Sequence, residues 1–183
     1  MLESLHLGSW LRLLRPGSPW LAPFVPTPHE VASQLLKLGR LAPGETVCDL
    51  GCGDGRLLTL AVRKFGARRA IGYELDESLV AAARSDAAGD PRIDVRLGDA
   101  SSAAEALAES DIVTLYLSVS GNATLLPLLR QHLRPHARVC SYVWEMPSVE
   151  PTKTLLMPGS GVPLHLFEHA ALHENAPPAP PDS

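Results

Sequence analysis

Asp49-Leu50-Gly51-Cys52-Gly53-Asp54-Gly55-Arg56 decides how this chain is read. The apolar run Thr46-Val47-Cys48 precedes it and a helix-like run from Leu57 follows, so the stretch is a loop joining a strand to a helix. Glycines at alternate positions let the backbone turn tightly beneath a ligand without side-chain obstruction. The dinucleotide fingerprint G-x-G-x-x-G asks for a third small residue where the helix packs on the strand, and here that position is Arg56. A pyrophosphate on the helix N-terminus would also lie beside the negative charge of Asp54. A cationic ligand suits the loop better: S-adenosylmethionine carries an ammonium and a sulfonium, and Asp49 would pair with either.

The segments downstream repeat the pattern. Ile71-Gly72-Tyr73-Glu74 reads as a second strand ending in a carboxylate, a residue type that suits ribose hydroxyls at that position. Ile93-Asp94-Val95-Arg96-Leu97 reads as a third strand, and Gly98-Asp99-Ala100 after it places an acid where an adenine amino group would donate. Acids at strand ends also cap the helices that follow, and for Asp99 that reading weighs as much as a ligand role. For Asp49 and Glu74 the glycine loop favours the ligand, because ligands bind outside the carboxyl ends of parallel strands.

The 183 residues, 45% of them hydrophobic, suit one domain with a substantial core. A formal charge of -4 argues against a broad basic footprint for nucleic acid. Three cysteines, Cys48, Cys52 and Cys140, make no disulfide framework, and a small apolar role in strand and loop explains them better than redox or metal chemistry. No run approaches the ~20 apolar residues of a membrane-spanning helix. Residues 1–26 form an N-terminal segment in which Leu, Trp, Arg12 and Arg15 faintly suggest a targeting or membrane-surface helix, against a packed helix as the preferred reading. The catalytic domain is expected over 27–172, and the Pro- and Ala-rich 173–183 as a disordered tail.

Within the domain, Thr27-Pro28-His29-Glu30 predicts a helix start with Thr27 as N-cap and Glu30 in a capping box. Val31, Leu35, Leu38 and Leu41 carry its apolar face as far as Pro43-Gly44. Helices and strands then alternate through a helix over 57–65, strand 70–74, helix 77–87, strand 93–97, helix 102–109, strand 111–117, helix 123–133 and strand 138–143. Segments 152–157 and 164–170, on either side of Pro158-Gly159-Ser160-Gly161, read as a closing hairpin with one antiparallel edge strand. The expected fold class is α/β: a doubly wound, mostly parallel seven-stranded sheet with an antiparallel closing strand.

The DLGCGDGR loop, the YELD strand end and the GDA strand end resemble the class I S-adenosylmethionine-dependent methyltransferases, whose Rossmann-like sheet closes in this way. More narrowly, Phe24-Val25-Pro26-Thr27-Pro28, Val113-Thr114-Leu115-Tyr116-Leu117 and Arg138-Val139-Cys140-Ser141-Tyr142 resemble the small protein-lysine methyltransferases of the adenine nucleotide translocase and ATP synthase c-subunit type, with their prokaryotic relatives. The similarity runs from Phe24 to Trp144. Ser118-Val119-Ser120 departs from it, standing where that family has a Leu-Pro pair. The long hydrophobic anchor of the mitochondrial members has no counterpart here, so the cytoplasm is the expected compartment, or the mitochondrion for a eukaryotic source.

The resemblance implies methyl transfer to a protein lysine. Asp49, Gly51 and Gly53 would hold the methionine end of the cofactor, Glu74 its ribose, and Asp99 with the backbone of Ala100 its adenine. Tyr116, at the end of the fourth strand, is the candidate catalytic residue, its hydroxyl accepting from the lysine amine; a core aromatic is the equal alternative. No metal is expected: His165, His169 and His173 recur at four-residue spacing but read as a solvated face. The expected partner is a protein carrying the lysine, not a nucleic acid. A small-molecule methyltransferase and a cofactor-binding protein without activity remain as alternatives, and the oligomeric state is not legible.

Overall fold

The computed structural model describes residues 21–22 and 24–174. The expectations for the N-terminal segment before Leu21 and for the tail beyond Glu174 lie outside the described residues. Seven strands form one sheet: β1 (Thr46–Leu50), β2 (Arg69–Glu74), β3 (Ile93–Leu97), β4 (Ile112–Leu115), β5 (Arg138–Tyr142), β6 (Lys153–Leu156) and β7 (Pro163–Glu168). Their spatial order is β3-β2-β1-β4-β5-β7-β6. The first five are mutually parallel, β7 is antiparallel to both β5 and β6, and the hairpin's first strand takes the edge. The doubly wound sheet with its antiparallel closing strand is therefore the observed fold.

Among the described residues, six helices accompany it: α1 (His29–Leu38), α2 (Arg56–Phe65), α3 (Glu77–Ala87), α4 (Ala104–Glu109), α5 (Val119–His132) and α6 (His169–His173). The central strands β1, β4 and β5 are buried on both sides and read as largely apolar runs, as a covered parallel sheet requires, whereas β3 and β6 at the two edges are partly exposed. One core cluster joins Leu35 and Leu36 of α1, Leu58 and Val62 of α2 and Val80 of α3 with Val47 and Ile112 of the sheet. The other joins Leu107 of α4, Leu125 and Leu129 of α5 and Leu172 of α6 with Cys48, Leu50 and Leu115. Helices α1 to α3 thus cover one face and α4 to α6 the other. Strand order reverses between β1 and β4, which opens a crevice at their carboxyl ends.

Local chemistry shifts some boundaries. Pro28, not Thr27, holds the cap position of α1, with no side-chain cap bond. A residue before proline is held extended, which takes Thr27 one place too far from the helix to cap it. The helix closes at Leu38, not near Leu41, because Arg40 adopts φ 55° and the Arg40 and Leu41 N–H groups fold back onto the Lys37 and Leu36 carbonyls. Helix α5 begins four residues earlier than its periodicity suggests, since the Ser118 hydroxyl caps it by accepting from Gly121 N at 3.0 Å. Strand β7 ends at Glu168, so His169 and His173 stack on α6, with ring centroids 4.3 Å apart, while His165 bonds Thr154 from β7 at 3.0 Å. The three histidines therefore do not share one face. Among the described residues, no helix is long and apolar enough to cross a membrane.

Candidate active site

A cleft holding about 870 Å³ of empty space, its open mouth included, occupies the crevice between β1 and β4. Asp49, Gly51, Gly53, Glu74, Ala100 and Tyr116 all line it. The glycine loop is shaped by its surroundings. Gly53 has φ 54°, and a Cβ there would lie 2.5 Å from the Phe24 ring, so only glycine lets the loop pass beneath that ring. Under the loop, a Cβ on Gly72 would lie 2.6 Å from both Cys52 Sγ and Leu58. Cys52 is thus a packing residue, and burial pushes its thiol up, away from reactivity.

Asp49 is buried at the end of β1, and its Oδ1 accepts from the Thr114 hydroxyl at 2.6 Å, directly across the β1–β4 register. Burial pushes its carboxyl up to about 7, and the charges of Glu74 and Asp54 add to the rise while the Thr114 bond opposes it. A carboxylate so placed favours a cation beside it. Glu74 Oε2 accepts from Gly53 N at 2.9 Å, and its Oε1 accepts from Leu75 N at 2.7 Å and Asp76 N at 3.0 Å. These bonds fix the glycine loop to the end of β2 and use three of the roughly four acceptor positions of a carboxylate. The fourth fits a ribose hydroxyl.

Beyond Glu74 the cleft is walled by Leu75, Gly98 and Ala100, a slot suited to a flat apolar ring. Asp99 stands between two wall residues without lining the cleft itself, and its carboxylate caps the following 3-10 turn by accepting from Ser101 N at 2.8 Å. At the opposite end Tyr116 follows β4, its ring centroid 4.4 Å from that of Tyr142, the last residue of β5. Its hydroxyl has no hydrogen-bond partner among the described residues. Burial, then the neighbouring Tyr142, raises its phenol, so it stays protonated at neutral pH.

Three features of the site escape local sequence patterns. Thr114 reaches Asp49 only through strand order. Arg56 pairs with Asp54 and donates from Nη1 to the Thr27 carbonyl at 3.1 Å, so the residue that breaks the dinucleotide fingerprint ties the segment before α1 to the loop. That guanidinium holds the Asp54 carboxyl below its usual range. Ser118, the departure after β4, donates from its hydroxyl to the Leu21 carbonyl at 2.7 Å. Leu21, Ala22, Phe24 and Val25 form the remaining cleft wall between these two tethers. A buried carboxylate for a cation, a carboxylate with one open acceptor position and an apolar slot fit S-adenosyl-L-methionine along its length.

Known proteins agree with that fit. A family described as the ANTKMT methyltransferase domain matches residues 49–153. A protein of Saccharolobus islandicus, named protein-lysine N-methyltransferase, is 30% identical over 73% of this chain and 83% of its own length. The mouse adenine nucleotide translocase lysine N-methyltransferase is 41% identical over 41% of this chain, which spans only 34% of that relative. Among solved structures, an RNA methyltransferase from Salinibacter ruber in complex with S-adenosyl-L-homocysteine superposes with a TM-score of 0.72. It is 34% identical, with 78% of this chain and 92% of that one covered.

Proposed function

Because this chain belongs to the family of the ANTKMT methyltransferase domain, we propose that it transfers the methyl group of S-adenosyl-L-methionine to the ε-amine of a protein lysine. Two observations support lysine: the likeness to the Saccharolobus islandicus protein, which extends over most of both chains, and the unpartnered phenol of Tyr116 in the cleft wall. In this reading Asp49 faces the cationic methionine end, Gly51 and Gly53 leave room for it, Glu74 takes the ribose, and Asp99 with Ala100 frames the adenine. The cofactor supplies a methyl group already activated by its positive sulfur.

What the chain must supply is position and a neutral amine. With an ordinary lysine pKa of ~10.4, the neutral amine costs about 4 kcal/mol near pH 7.5. Desolvation in a cleft walled by Leu115, Leu117 and Tyr116 lowers that cost, as does any positive charge close by. Tyr116, held protonated by burial, is no base; its oxygen accepts one amine N–H and so points the nitrogen lone pair along the cleft. The amine proton leaves to water before the amine is enclosed.

Incubating the protein with methyl-labelled cofactor and a lysate of its own source tests this directly. Label on a lysine of one protein band is the expected result. The likeness to the Salinibacter ruber RNA methyltransferase carries a second reading, an RNA acceptor; label confined to the RNA fraction would establish that one instead.

A further inference from the structure

Beside the cofactor cleft, a second, shallow groove, about 750 Å³ of empty space with its open mouth included, runs along the loop that follows β5. Val119, Trp144, Glu145, Pro147 and Glu150 are among the residues that line it. Val119 and Trp144 are two of the four large hydrophobic side chains that stand exposed among the described residues, at 46% and 44%. Both lie within three residues of the Tyr116–Tyr142 pair, Val119 beyond Tyr116 and Trp144 beyond Tyr142, so the groove opens next to the Tyr116 hydroxyl that receives the acceptor amine in the proposed reaction. Its charge has one sign. Glu145 and Glu150 are exposed on its rim, form no ion pair among the described residues, and no lysine or arginine lines it. Its histidine, His165, is engaged through Nδ1 with Thr154 at 3.0 Å and lies 3.3 Å through Nε2 from the Val143 carbonyl.

The loop that presents these groups is held in place. Buried Asn122 on α5 donates from Nδ2 to the Trp144 and Glu145 carbonyls at 3.0 and 3.1 Å. Val143 is set at φ 70°, where Trp144 N turns back onto the Tyr142 carbonyl at 2.9 Å. This turns the chain sharply out of the sheet and leaves the indole at the surface, against the ordinary preference of a large apolar ring for the interior. An exposed indole with carboxylates beside it recognises cations: the ring face attracts a guanidinium or ammonium, and the carboxylates pair with further positive charge. The same charges repel a phosphate backbone.

We propose that this groove seats the residues flanking the acceptor lysine and selects basic protein segments, with Trp144 stacking on an arginine or lysine near the target and Glu145 and Glu150 pairing with its neighbours. The inference rests on the lysine reading of the acceptor and narrows it to lysines in positively charged sequence. Binding and transfer are separable measurements. Fluorescein-labelled peptides with one central lysine, flanked by arginines or by glutamates, are titrated by anisotropy against the full chain saturated with S-adenosyl-L-homocysteine. The arginine-flanked peptide is expected to bind at least about tenfold more tightly. Trp144→Ala and the double change Glu145→Gln, Glu150→Gln should each remove most of that preference while leaving cofactor affinity as it was, since none of the three lines the cofactor cleft.

Equal affinity for the two peptides, or a preference that survives both variants, would overturn the groove. Single-stranded RNA that binds more tightly than the basic peptide and ignores the glutamate changes would overturn it as well. Tight, variant-sensitive binding of the basic peptide without methyl transfer from labelled cofactor would uphold the groove and remove the lysine reading instead.

Discussion

The Asp49 carboxylate and the Thr114 hydroxyl meet at 2.6 Å inside the sheet, and that bond is what allows a charge to exist so deep in the fold. It supports ionisation against burial, which alone favours the neutral acid. Thr114→Val keeps the shape and removes the donor; hydrogen bonds to charged groups contribute about 1.5–3 kcal/mol, so cofactor affinity at neutral pH should fall about tenfold or more by calorimetry. Tyr116→Phe probes the other end: loss of one oriented hydrogen bond should lower turnover up to about tenfold, with cofactor affinity unchanged. Unaltered turnover at saturating cofactor and acceptor would leave Tyr116 as a packing aromatic. Asp49 and Glu74 were legible as cleft residues because each carboxylate lies at the end of an apolar strand, Asp49 directly before the glycine loop. Thr114 was not, since its partner lies 65 residues away and only the β1–β4 register joins them. Asp99 shows the reverse: its acid was visible, but local pattern cannot tell a cap from a ligand, and the observed bond to Ser101 N is a cap.

At the level of elements, the segment before α1 matters more to the site than the helix it introduces. Its ends are tied by Ser118 to the Leu21 carbonyl and by Arg56 to the Thr27 carbonyl, with Phe24 lying over Gly53 between them. Removing the Arg56 tether would loosen this wall without disturbing the sheet. Arg56→Ala should raise the release rate of S-adenosyl-L-homocysteine several-fold in stopped-flow measurements, since affinity changes within one site fall mainly on dissociation. An unchanged rate would make the ion pair with Asp54 a surface decoration only. The sequence misplaced Thr27 because capping rules look only a few residues along the chain, whereas the contact that uses its carbonyl spans 29 residues. The central strands were easier to read: β1, β4 and β5 are buried throughout, and a run with no polar phase has nowhere to go but a covered sheet. Gly72 sits where two of these elements touch. Gly72→Ala would drive a methyl into Cys52 and Leu58 and should cost about 1–3 kcal/mol in urea unfolding.

For the whole molecule, the cluster of Asp49, Glu74 and Asp54 around one cleft links folding, pH and cofactor. In the folded protein without ligand, burial holds the Asp49 carboxyl up to about 7, whereas an unfolded chain releases that proton near ~3.9. Between those values the unfolded state binds fewer protons, so this group's contribution is fully present below the unfolded value and is lost as pH rises through the folded one. A bound cation reverses the balance by favouring the ionised acid, which is the form present at higher pH. Ligand that binds only the folded state stabilises it by about 2.7 kcal/mol at a free concentration of about 100 times Kd, and a tighter Kd enlarges that figure. The increase in Tm produced by a fixed concentration of S-adenosyl-L-methionine should therefore grow from about pH 6 to about pH 8, in the window where Asp49 ionises. Asp49→Asn should flatten both curves, leaving a ligand-free protein whose stability no longer falls across that window and a smaller thermal shift at every pH. The same shift at both ends of the range in the unsubstituted protein would mean that the cation of the cofactor is held elsewhere, and that Asp49 serves only to tie β1 to β4 through Thr114.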